Sequence, residues 1–193
     1  AGIVPEILDL KYLFIETDSK VYYNVNLAKN VANVSSLAKS NIDKYAESSE
    51  LNKYGARFKY SKFLKIIDQS HEAISSNITT IQIRRDLRIA VNQFAEYAID
   101  FGNQFHISSM EGYNIRSTPF KVLDIVDDVY LFDIPDSDKK KGKISLFSLP
   151  GDRSGPPVVV RRNIGTVDYV KGRITLNPIN IVSGKPKDNV EIL

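Results

Sequence analysis

Asp68, His71 and Glu72 place an imidazole between two carboxylates within five positions. Such a trio suits proton transfer, with a carboxylate orienting the histidine as a general base. It also suits a metal site with the carboxylate behind the ligand. A hydrolase built on Asp68 and His71 would further need a pocket holding a positioned water. The chain has only 2 His, so a multi-histidine metal site is ruled out. An exposed turn at a helix end explains the trio equally well, since a cation there complements the helix dipole. Asp136-Ser137-Asp138 opens like a calcium loop, but Lys139, Lys140 and Lys141 follow where oxygen ligands belong, and Gly142 arrives too late. Asp124, Asp127 and Asp128 crowd three carboxylates into five positions, and acid–base work would need surroundings that separate their pKa values. Nothing near them in sequence supplies a pocket, and a turn before Val129 accounts for them. Arg84, Arg85 and Arg88, with Tyr97 and Phe101 downstream, form the best basic cluster and would suit a nucleic-acid platform. Strand alternation sends Arg84 and Arg85 to opposite faces, so ion pairing with another subunit is at least as good a use for them. No nucleophile elbow, P-loop or dinucleotide fingerprint is present. The residues therefore point away from an enzyme, with no catalytic, cofactor-binding or metal residues and no small-molecule substrate.

Composition narrows the class. A chain of 193 residues holds one large domain or two small ones. Its 26 Lys+Arg against 23 Asp+Glu give a net charge of only +3, with the two signs interleaved. That is a solvated mixed-charge surface, without the basic excess on one face that phosphate binding calls for. There is no Cys, which excludes disulfides, thiolate catalysis and sulfur-ligated zinc and fits a reducing cytoplasm. No apolar run approaches the ~20 residues of a membrane span, and AGIVPEILDL lacks the pattern of a secretory signal.

The elements that must position these residues follow from spacing. Asp9–Glu16 and Lys20–Val25 read as two extended segments around a turn at Thr17-Asp18-Ser19. Asn26 is placed to cap a helix of about six turns whose stripe is Leu27, Val31, Val34, Ala38, Ile42 and Tyr45, with Lys29, Asn33, Lys39 and Asp43 off it. Gly55 breaks the chain, and Ser61 is a cap for a shorter helix carrying Phe63, Leu64, Ile66 and Ile67. Ser75-Ser76-Asn77 reads as a turn. Thr79, Ile81 and Ile83 then alternate with Thr80, Gln82 and Arg84, and Ala95, Tyr97, Ile99 and Phe101 alternate with Glu96 and Asp100. RRDLRIAVNQ between them suits either strand or turn. Beyond His106 the chain reads as β-hairpins: Thr118–Leu123, Val129–Ile134, Lys143–Leu149, Val158–Arg162, Thr166–Tyr169 and Arg173–Leu176. Val170-Lys171-Gly172 is a tight turn in which glycine accepts positive φ. Gly151–Pro157 is a loop by composition, and Pro156 and Pro157 should flank a strand. The tail from Ser183 is expected to dock weakly or to fray.

Several ordered motifs together resemble one family. They are Leu51-Asn52-x-Tyr54-Gly55-x-x-Phe58, Tyr60-Ser61-Lys62, Ile67-Asp68, Ile78-Thr79-Thr80, Tyr97–Phe101 with Asn103, Gly112-Tyr113-Asn114-Ile115-x-Ser117, and the hairpin Asn163–Asn177. In this order the chain, from about Tyr22 to Asn180, resembles the C-terminal part of the ring-forming baseplate wedge protein of T-even-like contractile-tail bacteriophages. Its strand–helix–helix–strand order is similar to the broader baseplate J-like group. The resemblance implies a piece of a longer polypeptide and a structural virion component of the tail baseplate, assembled in the host cytoplasm. It implies homodimers that close into a ring around the tail tube and rearrange on sheath contraction. The implied partners are further copies and other wedge proteins, not nucleic acid or membrane, and no cofactor is implied.

The expected fold is α+β, with two helices on a small mixed sheet in residues 1–106. A β-hairpin-rich part with a flexible tail follows in residues 107–193, the boundary falling near His106–Tyr113. A ring subunit needs self-complementary patches with apolar centres. Tyr130, Phe132 and Phe147, together with Arg84 and Arg85, are the candidates. A nucleic-acid-binding module using Arg84, Arg85 and Arg88 is the alternative.

Overall fold

The computed structural model describes residues 12–28, 30–149, 155–185 and 189–193. Asp9–Lys11, Lys29 and Gly151–Ser154, which enter the sequence reading above, lie outside them. The class is α+β. The chain forms two compact units, Glu16–Gln82 and the described residues up to Ile15 with Ile83–Leu193. The segment His106–Tyr113, where the sequence suggests a boundary, lies inside the larger unit.

The smaller unit holds most of β1 (Phe14–Tyr23), then α1 (Val31–Ala46), α2 (Tyr60–Asp68) and the first part of β2 (Ile74–Arg88). β1 runs straight through Thr17-Asp18-Ser19, where a turn is expected. β2 likewise runs through Ser75-Ser76-Asn77. Pairing of the two strands overrides the local turn preference. The polar side chains serve that pairing: Ser19 and Thr79 share a hydroxyl hydrogen bond of 2.8 Å, and Ser75 Oγ donates to Tyr22 O at 3.1 Å.

α1 starts later than Asn26. Asn26 sits in a turn whose amide donates to Asn24 Oδ1 at 2.9 Å. The cap is Asn30, in extended backbone with φ −147, whose Oδ1 accepts from the Ala32 amide at 3.0 Å. Such a cap is worth about 1 kcal/mol. Val34, Ala38 and Tyr45 of the expected stripe are buried, whereas Leu27 and Val31 are exposed. α2 begins at Tyr60, so Ser61 is inside the first turn. Its cap, Lys59, makes no side-chain cap bond. Tyr60 Oη instead ties the helix start to β2 by donating to Thr79 O at 2.8 Å. Tyr45, Phe63 and Ile67 form a small core with Val21 and Phe58 at its edge. A Lys62–Glu50 ion pair fastens α2 to the segment after α1.

In the larger unit β3 (Phe94–Asp100), β4 (Phe120–Val122), β5 (Val129–Pro135), β6 (Lys141–Ser148), β7 (Val158–Asp168) and β8 (Arg173–Gly184) form one sheet ordered β3-β8-β4-β5-β6-β7. β7 also pairs with β8, which closes β4 to β8 into a small barrel with β3 outside on β8. Inward residues fill it: Val129, Leu131, Ile144, Leu146, Ile174 and Leu176 are each no more than 1% exposed. Each such side chain contributes roughly 1.5–3 kcal/mol of burial.

Three departures from the sequence reading have local causes. The two expected strands around Asn163 are a single β7, kinked where the register with β6 shifts and Asn163 takes φ 55. β8 continues eight residues further than expected despite Pro178. The proline falls between Leu176 and Ile179, where the ladder to β3 is already interrupted and no amide donor is required. The tail, expected to dock weakly or to fray and to be flexible, ends instead in β9 (Asn189–Ile192), a strand paired with Arg85–Arg88 of β2, with Val190 and Ile192 buried. Two alternating apolar residues in NVEIL suffice to dock it, a signal too short to stand out from its Gly/Pro/Lys surroundings.

Candidate interaction surfaces

The chemistry-bearing residues serve local structure. His71 Nδ1 accepts the Ala73 amide at 3.0 Å, and Asp68 Oδ1 accepts from Asn77 Nδ2 at 2.7 Å. Both bonds brace the connection from α2 to β2. Asp138 Oδ1 accepts the Lys140 amide at 2.9 Å in the β5–β6 hairpin tip, where Lys139 has φ 57. Asp128 receives Lys185 Nζ at 3.3 Å, and Asp124 forms a turn at φ 71.

The arginine cluster does not make one platform. Arg84 Nη1 lies 3.0 Å from Glu191 and its Nε 3.2 Å from Asp86, with the guanidinium 4.6 Å over the Phe14 ring. Asp86 and Glu191 are register partners, so these three charged groups share one face of β2 and β9. Arg85 alternates to the other face, and Arg88 is exposed. On the surface of β3 and β8, Arg173 donates to Asp100 at 2.6 and 3.2 Å. That guanidinium, then the Gly102 amide, holds the Asp100 carboxyl below its usual range.

The aromatic candidates do converge. Tyr130 stacks on Phe147 across the β5–β6 ladder at 5.2 Å, and Phe132 meets Phe147 edge-on at 5.7 Å. Tyr113, at φ 63, stacks on Phe132 at 4.8 Å. Phe132 is 2% exposed, while Tyr113, Tyr130 and Phe147 are half-buried.

Beneath this cluster lies a site that sequence reasoning missed. Asp133, fully buried in β5, accepts from the Ile115 amide at 2.8 Å, Asn114 Nδ2 at 2.8 Å and Tyr169 Oη at 2.5 Å. Asn114 Oδ1 in turn accepts the Ser108 and Ser109 amides at 2.9 and 2.8 Å. Gly112 is pressed on the Asp133 carbonyl so closely that a Cβ would lie 2.0 Å from its oxygen. The motif Gly112-Tyr113-Asn114-Ile115 is thus a loop clasped by one buried carboxyl group, and Ser117 Oγ extends the clasp by accepting the Leu131 amide at 2.9 Å. The available signal was a charged residue at an inward position of the apolar run VYLFDIP.

Burial, and then the hydrogen bond to Asp133, push the Tyr169 hydroxyl pKa upward. The unfolded chain ionises this group near pH 10 and the folded chain does so later. Its stabilisation is therefore complete below pH ~10 and declines as pH rises beyond it, by at most about 1.4 kcal/mol per pH unit. Urea unfolding should show the stability gap between the parent and Tyr169→Phe narrowing from pH 8 to pH 11. A constant gap would contradict the assignment.

Among the described residues no helix is long and apolar enough to cross a membrane. Residues 11–86 match the family model described as baseplate structural protein gp6, C-terminal domain III. The matched stretch contains all of β1, α1 and α2 and most of β2. No curated protein matches the chain significantly.

Proposed function

We propose that this chain is a structural, non-enzymatic subunit of the baseplate wedge of a T-even-like contractile-tail phage, related to the baseplate J-like group. In this reading two copies pair, further contacts close the pairs into a ring around the tail tube, and the ring rearranges when the sheath contracts. The chain works in the virion beside other wedge proteins after assembly in the host cytoplasm. The match of residues 11–86 to a baseplate structural domain carries the reading, because it spans both helices and their flanking strands in order. The residues that could have suggested a reaction support it too, since Asp68 and His71 are each engaged in bonds that hold the fold.

A ring needs one self-complementary patch and a second, different contact. For the first, the half-buried rings of Tyr113, Tyr130 and Phe147 offer an apolar centre of the kind interface anchors require. Phe132 supports them from below. Sedimentation velocity and light scattering over a concentration series should reveal a dimer. Tyr130→Ala should weaken it by about 30-fold, as expected for an anchor worth about 2 kcal/mol. A strict monomer at high concentration would count against the reading.

A further inference from the structure

Among the described residues, β7 between Val158 and Arg162 has a strand on one side only. Its ladder to β6 includes Ser148↔Val158, Phe147↔Val159 and Leu146↔Arg161, whereas its pairing with β8 starts at Gly165, beyond the kink at Asn163. Among the described residues, nothing pairs with the other edge of this segment. Such an edge is a template for an added strand, and proteins usually shorten, twist or charge it to prevent that. Here three consecutive valines favour extended backbone. Val158 and Val160 are 55% and 40% exposed. Arg161 and Arg162 are adjacent and exposed, next to the register shift between Val159 and Arg161, and neither makes an ion pair among the described residues. Pro156 and Pro157 set the upstream limit of any ladder, since neither has an amide to donate.

We propose that this edge receives an extended acidic segment of another polypeptide as an additional strand. Carboxylates at two adjacent positions would meet Arg161 and Arg162, and β-branched residues would lie beside the valines. Main-chain hydrogen bonds supply affinity in this mode, and the flanking side chains supply selectivity. A second copy of the chain is the poorer occupant. Pairing the segment with itself about its midpoint gathers four guanidinium groups with no carboxylate in the segment to neutralise them. Nucleic acid would satisfy the arginines but leave the free amides and carbonyls of the edge unused. The edge does not depend on the baseplate reading, and its test is separate from the measurement of dimers.

The test uses the whole chain and fluorescence anisotropy with a labelled ten-residue peptide centred on Thr-Val-Glu-Glu-Val-Thr. Two control peptides carry lysines in place of the glutamates, or methylated amides at alternate positions. The glutamate peptide should bind at least tenfold tighter than either control. Arg161→Glu with Arg162→Glu should weaken it at least tenfold without altering the circular dichroism spectrum. Three results would each overturn the proposal: no binding of the glutamate peptide, equal binding of the methylated peptide, or tighter binding of an oligothymidylate that displaces it.

Discussion

Replacing Asp133 by alanine should destabilise the larger unit by about 3–5 kcal/mol. Three donors meet at this one side chain: the Ile115 amide, the Asn114 amide group and the Tyr169 hydroxyl. Each buried donor left without an acceptor costs roughly 1–3 kcal/mol, and water entering the vacated space recovers part of that sum. The damage extends along the chain. Asn114 also holds the Ser108 and Ser109 amides, and Tyr113 donates its own amide to Asp133 O at 3.2 Å. Once the side-chain clasp opens, only that backbone bond and the ring stacking are left to hold Tyr113 at φ 63, a conformation costly for an aromatic residue. Its stacking on Phe132 should loosen with it. Urea unfolding followed by circular dichroism measures the loss, and a change below 1 kcal/mol would refute the hub. Asp133→Asn keeps one acceptor oxygen and most of the volume, so it should cost less than alanine. If alanine were tolerated better than asparagine, the carboxyl group would be a burden the fold carries for some other reason.

That hub shows where sequence reading stops. Periodicity reports on neighbours along the chain, so α2, the alternation of Thr79–Ile83 and the hairpins beyond His106 were legible. So was the turn at Gly172, because a glycine between two β-branched runs has a local meaning. Asp133 meets its partners 18, 19 and 36 positions away, and no window of strand or helix length contains them. The same reason hides the closure of the barrel, in which β8 also pairs with β4, Phe120 meeting Gly184 and Val122 meeting Ile181 across 64 and 59 positions. β1 and β2 show the converse case. Thr-Asp-Ser and Ser-Ser-Asn are turn formers in isolation, yet each strand supplies the other with hydroxyl and backbone partners that a turn could not. Asn26 and Asn30 are equally good caps by type. What separates them is that residues Leu27 and Ala28 donate their amides to Asn24 O, forming a turn that delays the helix. Among the interface candidates, Tyr130 and Phe147 stand four-square across one ladder, as alternation allows. Arg84 is absorbed by Asp86 and by Glu191 from the far end of the chain, a contact that spacing does not reveal.

The hairpin between β7 and β8 yields the second large effect, and a comparison that isolates its cause. Gly172→Ala should cost about 2–5 kcal/mol, from two additive sources. Gly172 has φ +65, where an L-residue loses about 1–2 kcal/mol. Its added Cβ would also lie 1.8 Å from the backbone oxygen of Asn103, an overlap that the main chain itself must relieve. Forcing a well-packed region apart typically costs a further 1–3 kcal/mol. Relief is difficult here, because Gly172 O accepts the Phe101 amide at 2.8 Å and Asp168 Oδ1 holds the Lys171 amide at 2.9 Å. Both sides of the contact are therefore tied. Asn103 and Gly172 thus belong to one packing unit although 69 positions separate them. Gly55 is the control: its φ is +70, but a Cβ there meets nothing within 4 Å. Gly55→Ala should lose only about 1 kcal/mol, the conformational part alone. Thermal and urea unfolding of the two variants separate the contributions. Equal losses would mean that backbone conformation accounts for both glycines and that the close approach to Asn103 is relieved at no cost. A Gly172→Ala loss exceeding that of Gly55→Ala by about 1 kcal/mol or more is the expected result, and it ties the turn to the strand end that Phe101 and Asn103 complete.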